Sequence, residues 1–165
     1  MVRNMKIRKS TIADLQEIEA LYDEARVFMR ENGNSTQWGN NYPPTELILE
    51  DIENQVSYVC ENDGEIVATF FYMKRMDDPT YHVIENGEWK SNGPYGVIHR
   101  ITTKRGTRGV ASYCISKCFE ECGHLRMDTH ENNIPMQHLL EKLGFQKCGI
   151  IYVEDGSPRI AYEWL

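Results

Sequence analysis

Apolar positions along the chain recur with two periods, and the switches between them mark the elements. Ile18, Leu21, Tyr22, Ala25, Phe28 and Met29 return every three or four residues, the spacing of one helical face. Thr11-Ile12-Ala13-Asp14 ahead of this stripe has the form of a capping box, and Asn32-Gly33-Asn34 ends it. Leu47, Ile48 and Ile52 predict a short second helix over 45–54. Met5 to Lys9 alternates weakly, as a first strand would. Val56–Cys60 and Glu65–Met73 read as strands joined by Asn62-Asp63-Gly64, a hairpin signal. Met76 to Pro94 is polar and irregular, with Trp89 isolated inside it. Beyond it the pattern predicts a buried strand over Tyr95–Thr103, a helix over 109–122 and a strand over 124–129. A helix over 133–143, closed by Gly144, follows. Cys148–Val153 and Arg159–Trp164 complete the chain as an antiparallel pair about Asp155-Gly156.

Strand, helix, strand, helix, strand, strand in the second half predicts an α/β fold. Its sheet is mixed, packed by helices, with one parallel βαβ crossover in the middle. The whole of 1–165 is expected to form one domain, since this length supports a single core.

Composition narrows the function classes. Hydrophobic residues are 41% and charged residues 26%, the balance of a soluble globular protein. No apolar run approaches the roughly 20 residues of a membrane span, and the N-terminal Met1-Val2-Arg3-Asn4-Met5-Lys6 leads into no apolar leader core. Five cysteines are an odd number for a secreted disulfide framework. Free thiols in a reducing cytoplasm are the expectation. Cys114, Cys118 and Cys122 share a helical stripe with Ala111, Ile115 and Phe119. That stripe reads as a buried face, and no metal is expected. A net charge of −7 repels nucleic acid, so a site for an anionic ligand needs its own local basic patch.

Such a patch exists. Ile101-Thr102-Thr103-Lys104-Arg105-Gly106-Thr107-Arg108-Gly109-Val110-Ala111-Ser112 runs from a strand through a basic, glycine-containing loop into a helix. Amides in the first turn of a helix lack intrahelical partners, and the helix dipole adds roughly half a positive charge there. Together they suit a pyrophosphate. Gly106, Gly109 and Ala111 keep side-chain bulk away. The same segment also fits a plain strand-to-helix turn with solvated cations.

Several motifs, in this order and spacing, resemble the GNAT acetyltransferases over nearly the whole chain. Gly109-Val110-Ala111 after a basic loop is similar to that family's pyrophosphate loop. Asp128-Thr129-His130-Glu131-Asn132-Asn133, then Asn133-Ile134-Pro135-Met136 and Leu143-Gly144-Phe145, are similar to its next strand and helix. Gln37-Trp38 with Tyr42-Pro43, the run Pro94 to Ile101, and Asp155-Gly156-Ser157 look like one branch of it, of unknown acceptor.

The resemblance implies a twisted mixed sheet of six or seven strands with about four helices, and acetyl-CoA as cofactor. It places the pantetheine arm between the diverging strands Tyr95–Thr103 and Leu125–Thr129. Ile101, Thr102 and Thr103 would meet this arm, the loop Arg105 to Ser112 the pyrophosphate, and Asn133 and Met136 the cofactor from the next helix. The chain departs from the family in two places. Gly106 stands where Gln or Arg is usual. Leu140 stands where many members carry the tyrosine that protonates the departing thiolate.

Acetyl transfer needs a neutral amine, which at pH 7 costs a lysine-like amine about 4.6 kcal/mol and an α-amine about 1.4 kcal/mol. His99 is the candidate base: by strand alternation it shares a face with Val97, Ile101 and Thr103. A structural histidine bonded inside the sheet is the alternative. Asp128 is the second catalytic candidate, to attract a cation or orient a histidine. His130 beside it is a candidate for the substrate, or part of a capping cluster with Asn132 and Asn133. Trp38 and Tyr42 are candidate walls of the acceptor pocket, or packing residues, and Trp89 could join them. The expected activity is acetyl transfer to a primary amine of a small molecule or peptide. A CoA-binding sensor or scaffold of the same fold, suggested by Leu140, is the alternative, with a plain interaction domain third. Neither nucleic acid nor membrane is expected as a partner, and the C-terminal strand and aromatics leave a homodimer open.

Overall fold

The structure, a computed structural model, describes residues 4–165. Met1-Val2-Arg3, part of the stretch read above for a leader, lies outside the described residues. The elements are β1 (Met5–Lys9), α1 (Leu15–Glu31), α2 (Thr45–Glu53), β2 (Ser57–Asn62), β3 (Glu65–Met73), β4 (Gly96–Thr103), α3 (Val110–Cys122), β5 (Leu125–Thr129), α4 (Ile134–Leu143), β6 (Gln146–Tyr152) and β7 (Pro158–Trp164). One seven-stranded sheet has the order β1-β2-β3-β4-β5-β7-β6. β4 and β5 pair in parallel, at Gly96–Leu125 and Val97–Arg126, with α3 as their crossover. The pairs β1–β2, β2–β3, β5–β7 and β6–β7 are antiparallel. Among the described residues no helix is long and apolar enough to cross a membrane.

The chain divides into two compact units. The first holds the residues up to Tyr72 with His99–Ile115, and the second Met73–Ile98 with Ser116–Leu165.

In the first unit, the stripe of α1 turns Ile18 and Tyr22 onto Ile48 of α2 and Val59 of β2, with Leu15, Trp38, Ile52 and Ile66 packed around them. Each aliphatic side chain buried this way contributes about 1.5–3 kcal/mol. The entry to α1 differs from the expectation. The Thr11–Asp14 box closes a 3-10 turn over Ile12–Asp14, and the α-helix begins only at Leu15. Asp14 has two duties there. Its Oδ2 accepts the Thr11 N–H at 2.8 Å, and its carboxylate takes both terminal nitrogens of Arg8 at 2.8 and 2.9 Å. The Arg8 hydrogen bonds hold the Asp14 carboxyl below its ordinary range.

In the second unit, Tyr81, Tyr95, Val97, Ile151 and Ala161 form the core. The stretch from Met76 to Pro94, expected to be irregular, is in fact fastened at several points. Pro79–Tyr81 makes a 3-10 turn capped by Asp78, which places Tyr81 in the core. Glu85 and Ile150 exchange backbone hydrogen bonds of 2.9 and 2.8 Å. At that approach a Cβ on Gly149 would lie 2.6 Å from the Glu85 carbonyl oxygen, so no side chain fits. Trp89 donates its Nε1–H to the Tyr81 carbonyl at 2.9 Å and packs against the same core. This accounts for Trp89 as packing. Pairing by main chain leaves no side-chain period to read, so the strap was invisible in the pattern.

A fully buried carboxylate anchors this strap. Glu163 Oε2 accepts from His124 Nε2 at 2.6 Å and Arg126 Nε at 3.1 Å, while Oε1 accepts the Lys90 N–H at 2.6 Å. The Arg126 guanidinium lies 4.0 Å from the ring centroids of both Trp89 and Tyr95. Buried charges persist when paired in this way.

Candidate active site

The loop between β4 and α3 is in the first unit, and its three cations have different fates. Lys104 Nζ pairs with Glu65 at 2.8 Å. Arg105 pairs with Glu31 at 3.0 Å, and its guanidinium carbon lies 5.4 Å from the Phe28 ring centroid. Arg108 is exposed and forms no ion pair among the described residues. The amides divide likewise. Arg105 N–H donates to Glu24 Oε1 at 2.7 Å and Thr107 N–H to the Lys104 carbonyl at 3.2 Å. The Thr107 hydroxyl donates to that same carbonyl at 2.5 Å. Val110, Ala111 and Ser112 are the first three residues of α3, so their N–H groups have no carbonyl one turn back. Tyr113 is the first to find one, on Gly109 at 3.0 Å. Gly106 and Gly109 have φ of 85° and 73°. A Cβ on Gly106 would meet nothing within 4 Å. Glycine is therefore needed there for its left-handed backbone, not for space.

β4 departs from strict alternation. Arg100, in mid-strand, has φ 55°, a left-handed conformation that costs a non-glycine residue about 1–2 kcal/mol. Two half-buried residues, His99 and Arg100, therefore stand side by side between buried Ile98 and Ile101. The face expected to hold His99 with Val97, Ile101 and Thr103 crosses this turn: one left-handed residue interrupts the period of two between His99 and Ile101. The His99 ring lies 5.5 Å from the Phe71 ring centroid.

Around Arg100 the first unit is densely bonded. The Tyr22 hydroxyl donates to the Arg100 carbonyl at 2.8 Å. One terminal guanidinium nitrogen donates to Asp51 Oδ2, and the other to the Tyr42 hydroxyl at 3.3 Å. The guanidinium carbon lies 5.0 Å from the Phe71 ring centroid. The Arg100 and Asp51 side chains are only 11% and 12% exposed. Burial pushes the Asp51 carboxyl above its ordinary value against the pull of Arg100. Burial also pushes the Tyr22 hydroxyl up, which keeps it a donor. Trp38 meets Tyr22 edge-on at 5.5 Å and Tyr42 at 6.4 Å, so it is partly a core residue. Tyr42 is more open, at 39% exposure, and its carbonyl accepts from Arg26 at 2.9 Å.

The remaining candidates lie in the second unit. Asp128 Oδ2 accepts the Tyr81 hydroxyl at 2.7 Å. Burial, then the Asp128 charge, pushes that hydroxyl well above its ordinary range. His130 Nδ1 accepts the Asn132 N–H at 3.0 Å, and its carbonyl accepts the Asn133 N–H at 2.9 Å. Burial and then Arg159 hold its imidazole below the ordinary value, which favours the neutral ring. Asn133 caps α4, its Oδ1 accepting the Met136 N–H at 3.2 Å, and Met136 is half-buried in the first turn. Leu140 on the same helix is fully buried.

Three site residues escaped the sequence. Asp51 sits three positions after inward-facing Ile48, and a carboxylate on an apolar helical stripe was the signal for it. Tyr22 was legible only as core. Tyr81 lies where no periodicity existed to place it.

With this geometry in hand, comparison with known proteins is specific. The model of the acetyltransferase (GNAT) family matches residues 17–145. A GNAT-family acetyltransferase from Streptococcus agalactiae is similar at 31% identity and a TM-score of 0.88, over 99% of this chain and 96% of that one. A second, from Listeria monocytogenes, shares the fold at 20% identity and a TM-score of 0.70, over 97% and 94%. The fold also recurs in yncA from Salmonella typhimurium, solved with its cofactor acetyl-CoA, at 15% identity and a TM-score of 0.65, over 98% and 94%. No curated protein matches.

Proposed function

Because this chain belongs to the GNAT acetyltransferase family, we propose that it binds acetyl-CoA and transfers the acetyl group to a primary amine of a small molecule or peptide. One observation carries this reading: the first-turn amides of α3 stand beside the unpaired cation Arg108, while Lys104 and Arg105 are held by carboxylates. That donor set suits a diphosphate. The cofactor would supply the acetyl group as a thioester, open to direct attack by the amine. The residues assigned to the diphosphate are Arg108, Gly109, Val110, Ala111 and Ser112. Ile101, Thr102 and Thr103 would face the pantetheine arm, and Asn133 and Met136 would line the cofactor from α4.

His99 is the proposed acceptor of the amine proton, since an imidazole exchanges protons near neutral pH. Asp128 is the second proposed catalytic group, as a negative charge for a cationic acceptor. Tyr42, the more open aromatic, is the better pocket wall, with Trp38 behind it.

Release of free thiol from acetyl-CoA across a panel of amines tests the proposal, and His99→Ala should lower the rate by about 100-fold or more. Buried Leu140 favours one other reading, a CoA-binding sensor without turnover. CoA binding in calorimetry with no thiol release from any amine would select it. Absence of binding as well would end both.

A further inference from the structure

A left-handed residue inside a strand survives only where its surroundings hold it, and such strain gathers at functional sites. Arg100 is held by four contacts, all within the first unit. They are Tyr22 on its carbonyl, Asp51 and Tyr42 on its guanidinium, and the face of Phe71. The main-chain tether comes from α1 and the ionic one from α2. His99, the proposed proton acceptor, is the residue immediately before the turn, and Ile101, assigned to the pantetheine arm, the residue after it.

We propose that Asp51 and Tyr22 are positioning residues which, through Arg100, hold the left-handed turn of β4 and so aim the backbone of His99–Ile101 at the reacting group. The inference rests on the transferase reading above. In this role each acts on the orientation of its neighbours through Arg100, and a shift of about 1 Å at such a site costs up to about 100-fold in rate.

The expected effects fall on turnover more than on cofactor affinity, because the phosphate seat on α3 is left intact. Asp51→Asn and Tyr22→Phe should each lower kcat about tenfold while KM for acetyl-CoA moves less than about twofold. A role confined to stability would lower the melting temperature and leave kcat of the folded enzyme alone. Arg100 supplies the sharper control, since glycine adopts the turn without penalty and alanine does not. Arg100→Gly should therefore retain about five- to tenfold more kcat than Arg100→Ala. Asp51→Asn should have no further effect once Arg100 is glycine. Equal losses in the glycine and alanine variants, or wild-type kcat in Asp51→Asn, would overturn the clamp. Absence of turnover in the wild type would instead sink the transferase reading. In that event the amide resonances of His99, Arg100 and Ile101 decide: unmoved by Asp51→Asn and Tyr22→Phe, they refute the clamp by themselves.

Discussion

Carboxylates decide which charges of the basic loop between β4 and α3 remain available. Glu65 holds Lys104 and Glu31 holds Arg105, so a bound anion gains most from Arg108. Arg108→Glu reverses that one charge in a loop whose Arg105 and Thr107 amides are already engaged by Glu24 and Lys104. The expected result is a rise in KM for acetyl-CoA of about tenfold, with kcat nearly unchanged, read from initial rates at low salt where screening is weakest. Asp14 makes a different residue-scale prediction. Its folded pKa lies below the unfolded value of about 3.8. The stability it contributes is thus full above that value and is lost as pH falls through the folded one. Asp14→Asn should cost about 1–2 kcal/mol in urea melts at pH 7, the low figure reflecting the 31% exposure of Arg8. The deficit should shrink in melts taken below pH 4.

At the scale of elements, the strap from Met76 to Pro94 and strand β7 depend on one another. Glu163 lies in the β7 ladder opposite Gln146 and Arg126, and its carboxylate binds the Lys90 amide, His124 and Arg126 together. Glu163→Gln keeps the shape and removes the charge, leaving the buried Arg126 guanidinium without its counterion. The expected cost is about 3–5 kcal/mol, with faster amide exchange at Lys90 and Ser91 than in the first unit. Uniform exchange throughout the chain would show that the strap has no such local dependence. β4 shows a second lesson of this scale. Its run of buried residues predicts a strand correctly, yet the period of two fails at Arg100, because contacts from α1 and α2 impose a turn that the local sequence does not favour.

For the whole molecule, the proposed ligand is an anion and the chain carries −7. Binding must therefore come from the local seat on α3 against the general field. A ligand that binds only the folded state at 100 times its Kd adds about 2.7 kcal/mol, and for a chain of this length each 1 kcal/mol is about 2–4 °C. CoA should therefore raise the melting temperature by roughly 5–10 °C, and by clearly less in Arg108→Glu. An unchanged melting temperature in the wild type at millimolar CoA would contradict the seat.

Local chemistry determined what adjacent residues settle among themselves. The stripe of α1, the Asn62-Asp63-Gly64 hairpin, the Asn133 cap of α4 and the basic loop were all legible, because each is encoded within about a dozen residues, and the succession of strand, helix and strand made the crossover around α3 legible as well. The family resemblance added the cofactor, which no period or charge count supplies. Tertiary structure alone decided which loop cations stay unpaired, since Glu24, Glu31 and Glu65 come from 39 to 81 positions away. It decided that polar 76–94 is pinned to β6 through main-chain groups. It also decided that Arg100 turns left-handed under Asp51 and Tyr22. These are contacts between distant segments, and their energies are set by what folding brings together, not by neighbours in the chain.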